Sequence, residues 1–234
     1  MRTLYRTFLS THVTKGRLAG LGALGVLAVL LGVAVGAGDA ADPLGDGIGL
    51  VAAFGLSLFV PVTTLVFASA VLGEPNEDGT LVYLWLRPVA RWRLVAAALA
   101  AALTVAVPVV VLPLTLAAAL TGAGAGLVAA TLASTTLATV AYAGLFTWLG
   151  LRVRRALIWG LAYILVWEGF VARAGGGASL LAVRTHARSL LARLAGGAPD
   201  LVEVSLATSV VLPLIAAATA AALTIRRLHR QDVA

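Results

Sequence analysis

One polar interval in an otherwise apolar chain gathers residue types suited to docking against a partner rather than to making or breaking bonds. Residues 77–93, EDGTLVYLWLRPVARWR, open on Glu77 and Asp78, continue through Gly79 and Thr80, and reach Arg87, Pro88 and Arg91 after an apolar stretch. GEPNEDGT, residues 73–80, reads as a turn leading into a helix. Glu77 and Asp78 then fall near that helix's N-terminus, where they complement its dipole. Pro88 breaks the helix, and the arginines after LVYLWL face headgroups or a partner's carboxylates. Membrane anchoring accounts for the arginines alone. It does not account for the acids, which gain nothing beside an anionic leaflet.

The second candidate is Glu168, in LVWEGF. A charge near the centre of a membrane helix costs about 2.5–3.5 kcal/mol. Intramembrane acids are therefore candidates for a pathway or gate. Its place late in an apolar run also lets it reach the far interface or pair with Arg173.

Other chemistry is missing. There is no GxxxxGK[ST] phosphate loop, so ATP has no cradle of this kind in the chain, and there is no HExxH zinc helix. GAGAG at 122–126 joins two apolar runs rather than a strand and a helix. His12 and His229 lie in the terminal segments, and His186 stands alone as a polar-face residue. Cysteine is absent, which removes disulfides and thiolate metal sites. The chain is expected to hold no catalytic residue, metal or cofactor of its own, and not to be an enzyme by itself.

The elements that must position these residues follow from composition. Only 12% of the residues are charged and mean hydropathy is +1.01, against about a quarter charged in soluble domains. The chain reads as an all-α polytopic membrane protein, a single transmembrane unit over residues 1–234. Nucleic acid is excluded as a partner of its net charge of +7, because the basic residues flank apolar spans as membrane orientation requires. A helix needs about 20 apolar residues to cross the hydrocarbon. Charge-free runs at 18–38 and 47–73, two within 94–151 divided at TGAGAG (121–126), one at 156–172 interrupted by Glu168, and one at 204–225 make six spans. The first is longer than a signal-peptide core, and GDAAD is a poor cleavage site.

Alternate loops then carry 13 basic residues on one side and 4 on the other. The positive-inside rule puts both termini in the cytoplasm, so the chain is expected in the inner (cytoplasmic) membrane. Trp85, Trp92, Trp148 and Trp159 fall at inner interfaces and Trp167 near the outer one. Residues 1–17 read as an interfacial amphipathic helix, with Leu4, Tyr5, Phe8 and Val13 on its apolar side. The loop 173–203 holds SLLAVRTHARSLLARL, with an apolar stripe of Leu180, Val183, Ala187, Leu190, Leu191 and Leu194. Arg184, His186 and Arg188 fall away from that stripe, so a short helix is expected to cap the outer side of the bundle or lie in the headgroups. Small residues such as Gly32 and Gly36 are expected to pack helices tightly.

Six spans, cytoplasmic termini, a leading surface helix and an amphipathic outer segment resemble permeases of ATP-binding-cassette transporters of the type-2 exporter class. EDGTLVYLWLRPVARWRL is similar to that class's cytoplasmic signature between the second and third spans. The resemblance implies that loop 73–93 holds a coupling helix seated against an ATPase subunit. Glu77, Asp78, Gly79 and Thr80 match its acidic-Gly-Thr element, and Arg87, Pro88 and Arg91 match the turn that follows. It further implies two permease subunits, identical or paralogous, forming the pathway in the lipid bilayer, with ATP and Mg2+ bound in the partner ATPase. The LWL of this chain is more apolar and aromatic than that pattern. Two alternatives are an ion-driven secondary transporter or channel, and a non-transporting membrane scaffold. Whether an ATPase co-purifies separates the three.

Overall fold

A computed structural model of the chain describes residues 2–38, 41–80, 89–170 and 176–230. All regular elements among the described residues are helical. An apolar solvent offers the backbone no hydrogen bonds, and a helix satisfies its own within one segment.

Helix α1 covers Arg2–His12 and α2 covers Lys15–Ala37, with the Thr14 hydroxyl accepting from the Arg17 amide at 3.4 Å as its cap. Helix α3, Pro43–Leu50, passes through a π-helical stretch, Val51–Phe59, into α4, Val60–Glu77. Helices α5, Arg91–Leu120, and α6, Ala125–Arg152, are joined by a reversal in which Gly122 and Gly124 take φ of 75° and 91°. Side chains with a Cβ rarely enter that region, so the glycines of TGAGAG make the tight reversal possible. Helix α7, Ala156–Ala162, continues as a π-helical stretch, Tyr163–Glu168. Helix α8, Val183–Ala195, lies between the 3-10 turns Gly176–Leu181 and Pro199–Leu201, and α9 runs Leu206–Arg230.

Five stretches are long and apolar enough to cross a membrane: Lys15–Ala37, Pro43–Glu77, Arg91–Leu120, Ala125–Arg152 and Leu206–Arg230. The protein is an all-α multi-pass membrane protein. The fifth expected span, 156–172, is helical over Ala156–Glu168, about 20 Å at 1.5 Å per residue. Residues 171–175, including Arg173, lie outside the described residues.

Helix α6 packs against α4, α5, α8 and α9, and α2 lies on α5. Small residues set the closest approaches, as expected. A side chain on Gly32 would stand 2.7 Å from the Ala117 Cα, and one on Gly73 would stand 3.2 Å from the Gly150 carbonyl oxygen. Helix α1 turns Leu4 and Phe8, four residues apart, into the bundle, and the Tyr5 hydroxyl donates to the Thr104 hydroxyl at 3.0 Å. Its apolar side is thus docked on α5 as well as suited to an interface.

One expectation about the connections fails and another is met only in part. The turn expected over 73–80 is helix as far as Glu77, because Pro75 sits within the last turns of α4 and the ladder closes past it, the Asp78 amide donating to the Glu74 carbonyl at 2.9 Å. The amphipathic segment forms the helix expected near 183–195, and Val183, Ala187, Leu190 and Leu191 of its stripe are buried, while Leu180 and Leu194 are exposed. Its polar residues do not fall away into water: Arg184 and His186 are buried, the helix packs along α6 and α9, Arg184 bonds the Glu168 carbonyl, and the His186 Nε2 bonds the Leu180 carbonyl at 2.8 Å.

Candidate functional site

Seven residues were expected to form a coupling element, and four of them make one turn. Glu77 is the last residue of α4, Asp78 caps it, Gly79 takes φ 69°, and the Thr80 hydroxyl donates back to the Pro75 carbonyl at 3.4 Å. Glu77 therefore lies at the C-terminal end of α4, the end a carboxylate does not favour. Its compensation comes from across the bundle: its Oε1 accepts the Arg155 backbone amide at 2.6 Å. Arg155 holds a left-handed φ of 58° between α6 and α7, so Glu77 fastens the end of α4 to that reversal. One turn earlier Glu74, absent from the expected set, forms an ion pair with Arg17 at the start of α2. A cavity of about 300 Å³ opens between Gly73, Glu74 and Glu77 on one side and Arg155 and Leu157 on the other. Arg91 is the first residue of α5. Arg87, Pro88 and the expected coupling helix, residues 81–88, lie outside the described residues.

Glu168 sits far from that turn and is only 1% exposed. The Tyr142 hydroxyl donates to its Oε2, and the Tyr163 hydroxyl donates to its Oε1 at 3.2 Å. The Val183 amide also bonds it, and the Arg184 guanidinium, close enough to act on the carboxylate, donates to the Glu168 backbone carbonyl. Residues five apart on an α-helix diverge by about 140° around the axis. The π-helical stretch, with the Gly169 amide bonded to the Ile164 carbonyl at 3.0 Å, brings Tyr163 and Glu168 onto one side instead. Phe146 stacks on Tyr142 at 5.5 Å and meets Tyr163 edge-on at 6.2 Å, closing the pocket.

Tyr142 lies ten residues before the end of α6, about 15 Å along the helix from Arg152, so the network stands well inside the bundle. Helix α8 begins here beside Glu168 and ends near α3, where a side chain on Gly197 would meet Ile48 at 2.9 Å. Its N-terminal turn therefore enters the middle of the bundle. Sequence reasoning missed Tyr142, Tyr163 and Arg184. The available signal was the rarity of charge: a buried Glu168 requires donors, and tyrosines and an arginine lie in flanking segments.

A sequence model described as ABC-2 family transporter protein matches residues 15–174, from the start of α2 to beyond Glu168. The chain belongs to this family. No curated protein matches it. Membership of the ABC-2 transporter family makes this multi-pass protein a transport permease, and membrane components of that family generally work with an ATP-binding subunit. The matched region contains the Glu77 turn, Arg87, Pro88, Arg91 and the Glu168 carboxylate. Helices α8 and α9, and with them Arg184, lie outside it.

Proposed function

We propose that this ABC-2 family protein is the permease subunit of an ATP-driven exporter. It forms half of the translocation pathway beside a second permease subunit, identical or paralogous, and is driven by separate ATP-binding-cassette ATPase subunits. ATP and Mg2+ bind in those subunits, and this chain is not itself an enzyme. The arginine-rich end of the bundle faces the cytoplasm and both termini lie there, in the inner membrane, because basic residues are retained on that side.

The observation that carries the coupling proposal is the fastening of α4's end. A push on residues 77–91 acts on α4 directly, on the α6–α7 reversal through Glu77 and the Arg155 amide, and on α2 through Glu74 and Arg17. One displacement thereby reaches three helices. Glu168, bonded by α6 and followed by α8, sits where relative movement of those helices would open or close a path.

The burial of Glu168 lends support to a second reading, ion-driven transport, since carriers of ions and protons hold acids inside the bundle. The driving force separates the two. Right-side-out or inverted vesicles carrying the permease with its ATPase are tested once a substrate is found by a susceptibility screen. Transport that survives ionophores and stops on ATP depletion supports the exporter. Transport that survives ATP depletion and stops with the ionophores supports ion coupling.

A further inference from the structure

A basic concavity is separate from both sites above. Trp148 and Arg152 of α6 and Leu223, Arg226, Arg227 and Arg230 of α9 line a pocket of about 350 Å³. Among the described residues, no carboxylate lines it. Glu74 and Glu77, at the same end of the bundle, are already engaged by Arg17 and the Arg155 amide. The Arg227 Nε is buried and has no hydrogen-bond partner among the described residues. Arginines that merely anchor a helix project into the headgroup layer and need neither a concave wall nor a desolvated donor.

Trp148 has a second role. Its other side lines an apolar groove of about 230 Å³, formed with Leu145, Phe146, Leu149 and Trp159. A basic pocket and an apolar groove therefore meet at one indole, at the level where tryptophan sits in a membrane. We propose that this is a binding site for an anionic phospholipid. Its phosphodiester lies against Arg152, Arg226 and Arg227, and an acyl chain follows the groove past Trp148. Guanidinium forks match phosphate oxygens in pairs, and basic pockets between membrane helices select anionic headgroups. A free inorganic anion would fill the pocket and leave the groove unused, which is why the lipid is favoured.

The test uses the full-length protein in detergent and in nanodiscs. Native mass spectrometry with phosphatidylglycerol and phosphatidylcholine is expected to show retention of phosphatidylglycerol. The Arg226→Gln/Arg227→Gln variant should lose about tenfold or more of that preference, whereas Arg226→Lys/Arg227→Lys should keep most of it. In nanodiscs, phosphatidylglycerol brominated on its chains should quench tryptophan emission more than brominated phosphatidylcholine, and Trp148→Phe should reduce the difference to the share carried by Trp159. Equal binding of the two lipids, or undiminished preference in the glutamine variant, overturns the proposal. Displacement of phosphatidylglycerol by millimolar inorganic phosphate would make the pocket a free-anion site. Loss of a co-purifying ATPase from the glutamine variant with lipid preference intact would make the pocket a protein-docking surface instead. The lysine variant and Trp148→Phe keep the test decisive if the glutamine variant fails to fold.

Discussion

The end of α4 and the Glu168 network employ the same groups, carboxylates answered by guanidinium and backbone donors, in opposite surroundings. At the end of α4 the Arg17 and Glu74 side chains are 25% and 38% exposed; Glu168 is 1% exposed. In water an ion pair contributes little, because solvent already satisfies both partners and salt screens them. In a dry interior the same charge has to be met by every donor around it. The exposed cluster can thus re-form after a displacement, as a transmitting contact must. The buried network holds one arrangement, or switches as a whole.

The comparison breaks most readily at Arg184. Arg184→Met leaves the Glu168 backbone carbonyl without its guanidinium donor and should lower the unfolding free energy of the purified protein by about 1.5–3 kcal/mol. Adding Glu168→Gln to that variant should recover only the part of the loss that comes from the carboxylate's charge. A loss for Arg184→Met no larger than that of a surface variant would mean that the carbonyl is satisfied without it. The tyrosines come next. Tyr142→Phe removes a buried donor and should cost about 1–3 kcal/mol, measured by thermal unfolding in detergent. Tyr163→Phe, whose bond is 3.2 Å long and only part-buried, should cost less. The smallest effect belongs to the exposed pair: Arg17→Gln should change stability by about 0–1 kcal/mol. High salt should erase what difference there is, and a salt-independent loss would show that the pair is less exposed to solvent than its accessibility implies.

The same contrast explains how much the amino-acid sequence revealed. Runs without charge marked the five long membrane helices closely, because insertion forbids uncompensated charge over some twenty residues. The 121–126 reversal was legible from its glycines. The region after Arg155 was not. An unbroken apolar run does not disclose that its helix loosens into π turns at Tyr163. Helix α8 was read as amphipathic, capping the outer side of the bundle or lying in the headgroups. Periodicity sets Arg184 and His186 off the apolar stripe, but what meets Arg184 is Glu168 from another segment, and that pairing is not local. Glu74 was hidden by the assumption that a proline-containing stretch is a loop, although Glu74 and Glu77 are three residues apart, one helical turn. In the coupling element, the acidic-Gly-Thr residues form the turn that ends α4, and the helix they were expected to open lies outside the described residues.

The central claim, that the Glu77 turn transmits work from a separate ATPase, is tested most directly by the variant Glu77→Lys/Asp78→Lys. Co-expression with the candidate ATPase, followed by purification and assay in proteoliposomes, measures subunit stoichiometry and substrate-stimulated ATP hydrolysis together. The account predicts a variant that inserts in the membrane and unfolds like the wild type, yet loses either the bound ATPase or the stimulation of its hydrolysis. A variant complex with unchanged stoichiometry and fully coupled hydrolysis would contradict it.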